Sequence, residues 1–288
     1  MSAPTLSLNF VLSKLLGHPR ATQTIKWIVY GALLINFSIY VSDDFRAYQS
    51  SLPAGAPWSQ ILEKFSTTVD TAAWMGLVLL FEVETYIVAD SDRYDVLSRV
   101  LTACRLVCYA LIGAAAYGYI ADAMDYNTAS LVPGLTDLCT LAGQEIWLQT
   151  NSINFSQITA DNCASLSTAA QYYQLSGEVS LMDSATVTHA KTLAWVNVVN
   201  AFVWLLVVFL IEVAIRLQQT ENYRKRELRL VHRLSTIFYG ILIAIAVFWL
   251  FTGYALYTWD AVLWIAGFWA IELNLAEWEQ DYLKAEPA

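Results

Sequence analysis

Long apolar stretches alternate along this chain with short polar connections and one long one. Six runs come close to the roughly twenty residues a helix needs to span the hydrocarbon core of a bilayer. They cover about 24–41, 70–88, 101–123, 192–217, 234–257 and 260–276. The pattern predicts an all-α, polytopic membrane protein of six transmembrane helices, a single integral membrane domain over 1–288. A polar insert over 125–190, acidic and rich in Ser, Thr, Asn and Ala, separates helices three and four. The turn-rich stretch 51–57 precedes a segment, 58–65, expected to form a short helix on the membrane. A tight turn is expected at 257–260, between helices five and six.

Three of the runs share a spelling, Trp, seven residues, then Glu: Trp74 to Glu82, Trp204 to Glu212 and Trp264 to Glu272. The intervening runs share a Tyr followed by a small residue, at Tyr30, Tyr109 and Tyr239. An Arg stands ten residues before each Tyr, at Arg20, Arg99 and Arg229. Together these predict a threefold repeat of a two-helix hairpin. Hairpin 1 covers 24–90, hairpin 2 covers 99–217 around the insert, and hairpin 3 covers 232–276. An interfacial N-terminal segment (1–23) and a tail (277–288) flank them, and the N-terminus lacks the pattern of a cleavable signal peptide.

Composition agrees with a membrane class. Of 288 residues 57% are hydrophobic and 14% charged, with mean hydropathy +0.46. All Lys and Arg but Arg46, Lys64 and Lys191 fall in segments on one side of the expected spans. The positive-inside rule then places both termini in the cytoplasm and the insert outside, in a plasma membrane of the bacterial inner type. The net charge of −9 argues against nucleic acid as a partner. Cys139 and Cys163 both fall in the insert, where oxidation is permitted, and are expected to form a disulfide. Cys104 and Cys108 read as small apolar helix residues.

Carboxylates inside apolar runs are functional candidates by default. Glu82, Glu212 and Glu272, with Glu84 as an extra group in the first hairpin, are expected in the inner half of the bilayer, at the depth of Tyr30, Tyr109 and Tyr239. Arg105 is a candidate counter-charge. Two roles are open. The carboxylates converge as a site for a small cation or proton, or each hydrogen-bonds a Tyr and staples helices together. The leading expectation is transport or conduction of a small cation or proton. The alternative is a non-catalytic scaffold, complex subunit or sensor working through the outer insert. No enzyme motif occurs, and no cofactor is called for. Asp90, Asp92 and Asp95 read as a turn and capping cluster rather than a Mg²⁺ site. The partners this chemistry admits are lipid, a small cation or proton, and a second copy of the chain or another membrane subunit.

Overall fold

The computed structural model describes residues 19–87, 94–218 and 225–268. The tail expected over 277–288, most of the segment expected over 1–23, Asp90 and Asp92 lie outside the described residues. So does Glu272. Glu82, Glu84 and Asp95 fall within described helices, but their side chains lie outside the description.

The chain is mostly helical, but it is not all-α as expected. Helix α1 (Pro19–Ser51) leads to a short α2 (Trp58–Lys64), then α3 (Ser66–Ile87) and α4 (Tyr94–Asp125). The insert follows, with strands β1 (Ser130–Leu131), β2 (Trp147–Gln149) and β3 (Phe155–Gln157), helix α5 (Cys163–Leu166), and strands β4 (Tyr172–Gln174) and β5 (Ser180–Asp183). Helices α6 (Ser184–Gln218), α7 (Lys225–Phe251) and α8 (Ala255–Phe268) complete the described chain. Among the described residues four helices are long and apolar enough to cross a membrane: α1, α4, α6 and α7. Helices α3 and α8 carry shorter apolar stretches, Ser66–Phe81 and Ala255–Phe268.

The insert is a five-stranded sheet in the order β1-β4-β5-β2-β3, with β2 and β5 parallel and the other pairs antiparallel. Strands of two to four residues are too short for alternation to reveal them. Leu138, Leu148, Ile158, Tyr172 and Leu181 form its core, and the Cys139–Cys163 disulfide closes across it, with Cα atoms 4.8 Å apart. A second cluster, in which Leu175 and Met182 pack with Ala123, Ala190 and Ala194, seats the sheet on α4 and α6.

Two boundaries differ from the expected ones in ways that matter. Helix α1 runs on through Asp43 and Asp44 to Ser51, instead of ending near Val41. These carboxylates end the hydropathy run, yet Asp44 turns inward. Its Oδ2 accepts from the Thr68 backbone N–H (2.8 Å) and hydroxyl (2.7 Å), capping the first turn of α3 from a neighbouring helix. The turn expected at 257–260 lies earlier, at Thr252–Gly253. Gly253 has φ +90°, which a glycine adopts without steric cost. Its N–H reaches Leu250 O, and the Tyr254 N–H reaches Trp249 O, the paired bonds of a Schellman ending. Tyr257 and Asp260 therefore sit inside α8, facing the bundle.

Gly118 allows another close approach. A methyl group there would overlap Ser66 Oγ, which bonds back to Leu62 O (3.2 Å) and Glu63 O (2.7 Å) at the α2–α3 elbow. The contact brings α4 against that elbow and sets Asp122, one turn on, beside Lys64.

Gly118→Ala should therefore destabilise the protein by about 1–3 kcal/mol, the usual cost of overpacking, read as a lowered thermal midpoint in detergent. Reducing the disulfide should cost the sheet about 3 kcal/mol in the chain-entropy account, read as earlier loss of its hydrogen-exchange protection.

Candidate functional site

Polar side chains that a membrane bundle would normally exclude are gathered in one column beneath the sheet. At its top is Lys64, the last residue of α2, with its side chain only 11% exposed. Its Nζ lies 2.7 Å from Glu178 Oε1 in the β4–β5 turn, 3.6 Å from Asp122 Oδ1 on α4, and 3.7 Å from Glu63 Oε1. Glu178 is held from its other side by the Ser180 hydroxyl, which donates to Oε2 at 2.8 Å. The same turn donates Val179 N–H to Ser51 O (2.7 Å), at the end of α1. One ammonium thus joins the sheet, α2 and α4.

Burial opposes the charge on Lys64, but Glu178 and Asp122 outweigh it and hold the ammonium well above the ordinary lysine value. Glu63 has less help. Burial dominates over the attraction of Lys64, and its carboxyl is raised to about 7.

The column holds two small cavities. The upper one, about 90 Å³, is lined by Asp43, Asp44, Glu63, Asp122, Glu178 and Lys64, among others. The lower one, about 80 Å³, contains Asp70, Asp260, Trp204, Trp249 and Trp264. Each has room for several water molecules. Thr67, Tyr119, Asn197 and Tyr257 line both, so the two meet across a belt of hydroxyl and amide groups.

Below the belt the carboxylates are met by neutral donors. Asp70 Oδ1 accepts from Trp74 Nε1 (3.0 Å), and its Oδ2 accepts from the Tyr119 hydroxyl (3.3 Å). Asp260 Oδ1 accepts from Asn36 Nδ2 at 2.8 Å, a contact between the first and last described helices. At 1.5 Å per residue, Asn36 lies roughly 22 Å along α1 from Ser51, deep within the span. The bond is flanked by the Tyr40–Tyr257 ring contact at 5.8 Å. Beyond Asp260 the column ends in aromatic rings. Phe268, two turns further along α8, touches Trp74 (6.1 Å), Trp204 (5.3 Å) and Trp264 (6.1 Å).

Those three rings are the tryptophans of the repeated spelling. The structure brings the Trp ends of the three motifs together at Phe268. Of the Glu ends it describes one side chain: Glu212 is 55% exposed and accepts from Arg216 Nε one turn away, at 2.8 Å. Tyr239 is buried among Val203, Val207 and Leu242, Tyr109 is half-exposed, and Tyr30 lies against Trp27. Arg105 is half-buried on α4. Cys104 and Cys108 are free thiols on the same helix. No metal-holding group of three or more His, Cys, Asp or Glu occurs among the described residues.

Sequence reasoning passed over Asp44, Asp70, Asp122 and Asp260 because each stands at the edge of an apolar run, where a carboxylate looks like the start of a loop. The signal available was their neighbours: Asp70 has Trp74 four residues on, and Asp260 has Trp264, the i,i+4 spacing that puts a donor on the same helix face.

Comparison with protein-family models, curated proteins and solved structures returned no match.

Lys64→Met should cost about 3–5 kcal/mol, because it leaves Glu178 and Asp122 without their counter-charge; unfolding in detergent reads it. Glu63 should contribute a pH dependence of its own. Its folded value lies above its unfolded one, so its stabilising effect is complete below the ordinary glutamate value and is lost as pH rises through about 7. Glu63→Gln should flatten the stability–pH curve between roughly 4.5 and 7, measured as thermal midpoints across that window.

Proposed function

We propose that the chain is a six-span protein of a bacterial inner membrane that passes protons or a small cation along this carboxylate column. In this reading the sheet lies outside and both termini lie in the cytoplasm, following the bias of Lys and Arg to one side. Helices α3 and α8 are the remaining spans.

The observation that carries the reading is the pair of cavities with four shared lining residues. Carboxylates deep in a membrane protein commonly mark ion pathways and proton relays. Here Glu63, with a carboxyl raised to about 7, lines the upper cavity and is suited to exchanging protons near neutrality. Thr67, Tyr119 and Tyr257 supply hydroxyls between the upper carboxylates and Asp70 with Asp260. A hydroxyl both donates and accepts, so it can hand on a proton with a water on either side.

The aromatic cluster at Phe268 acts as the barrier. It separates the column from the inner half of the helices, where Glu212 takes part on the cytoplasmic side. Trp204 to Glu212 is roughly 12 Å along α6, so Glu212 stands beyond the plug. A path with two wet ends and an aromatic closure between them needs the plug to move, and Phe268 is the residue on which that movement centres.

The test is proton flux into proteoliposomes carrying an internal pH dye, under an imposed pH gradient with the membrane potential clamped. The wild type should acidify the lumen faster than protein-free vesicles. Asp70→Asn and Asp260→Asn should bring the rate down to the protein-free level, and Glu212→Gln should slow it. Wild-type rates equal to those of empty vesicles, with sodium gradients equally without effect, would overturn the proposal.

A further inference from the structure

The lower cavity is lined by two carboxylates, and among the described residues no Lys, Arg or His lines it. The donors bonded to Asp70 and Asp260 are neutral: Trp74 and Tyr119 for Asp70, and Asn36, Tyr40 and Trp264 for Asp260. Six aromatic side chains line it, Tyr40, Tyr119, Trp204, Trp249, Tyr257 and Trp264, alongside neutral threonine and asparagine side chains. Trp249 is only 5% exposed, it contacts Tyr257 edge-on at 5.6 Å, and its indole Nε1 has no hydrogen-bond acceptor among the described residues. A buried N–H without an acceptor is rare enough to call for an explanation, such as an absent ligand or water.

Each feature selects for the same occupant. Two carboxylates without a cationic side chain favour a positive charge. Aromatic faces around them favour an organic cation, because ring quadrupoles attract an ammonium with little hydration to remove. The lack of a metal-holding group of three or more His, Cys, Asp or Glu among the described residues disfavours a metal ion. The unpartnered indole asks for an oxygen acceptor. A cavity of about 80 Å³ takes roughly six water-sized atoms.

We propose that the lower cavity binds a small alkylammonium bearing a hydroxyl or carbonyl oxygen. Asp70 and Asp260 face its charge, Trp204, Trp264 and Tyr257 surround its carbons, and Trp249 Nε1 donates to its oxygen. The inference rests on the column being a passage for cations and names the class of cation that enters it.

The experiment uses the full chain in lipid nanodiscs and follows intrinsic tryptophan fluorescence during titration with ethanolamine, ethylamine, tetramethylammonium and NaCl at constant ionic strength. Ethanolamine should give a saturable change, with ethylamine about three- to tenfold weaker for want of one hydrogen bond. NaCl should give none. Trp249→Phe should retain amine binding but bring ethanolamine and ethylamine to equal affinity, and Asp260→Asn should abolish saturation by all three amines. A response to ethanolamine that fails to saturate, or that NaCl reproduces, overturns the site. So does a Trp249→Phe variant that keeps the wild-type preference for ethanolamine. The flux assay separates the two claims: saturable ethanolamine binding without proton or sodium flux retires the passage and leaves the site, and flux without ethanolamine binding retires the site alone.

Discussion

A single ammonium group holds the top of this molecule together. Lys64 Nζ is buried among Glu178, Asp122 and Glu63, which come from the sheet turn, α4 and α2. Three carboxylates packed without it would repel one another in a medium that screens them poorly. With it, the sheet has a charged anchor on the bundle as well as an apolar seat formed by Leu175 and Met182. The anchor is directional, because the Val179 N–H bond to Ser51 O and the Ser180 bond to Glu178 leave the turn one position to occupy. The close approach at Gly118 and the capping of α3 by Asp44 follow from the same constraint: helices must come near enough for a short-range charge to reach them all.

Below that anchor the balance changes from ion pairing to hydrogen bonding. Asp70 and Asp260 are met by an indole, a phenol and an amide, each supplied by a helix whose placement depends on a local device. Tyr119 follows Gly118 on α4. Asn36 lies on a helix that continues through its own carboxylates to Ser51. Asp260 enters the column because the Schellman ending at Gly253 starts α8 early. The result is a column of acidic groups that is charged and paired at the top, neutral-bonded in the middle, and closed by Phe268 with three tryptophans at the bottom.

Much of the membrane architecture was legible in the chain. The apolar runs located every long helix, and two cysteines in a polar insert sufficed to pair Cys139 with Cys163. The repeated Trp-x₇-Glu spelling offers both an indole and an acid. The residues that meet among the described side chains are the tryptophans. Hydropathy cannot distinguish a carboxylate that ends a span from one that turns into the bundle, which is why Asp44, Asp70 and Asp260 read as boundaries. The small sheet was hidden for a different reason. Its strands are held by pairing between distant segments, such as β2 with β5, and by a core that forms only once those segments meet. Lys64 looked like an ordinary outer-loop cation, since its three partners lie one residue, 58 residues and 114 residues away.

The central claim is that Asp70 and Asp260 exchange protons with the aqueous phase through the column. Infrared difference spectroscopy of the protein in membranes, between acidic and neutral pH, tests it most directly. The account predicts carboxyl stretching bands that shift in D₂O, one lost in Asp70→Asn and another in Asp260→Asn. Difference spectra that both variants leave unchanged would contradict it.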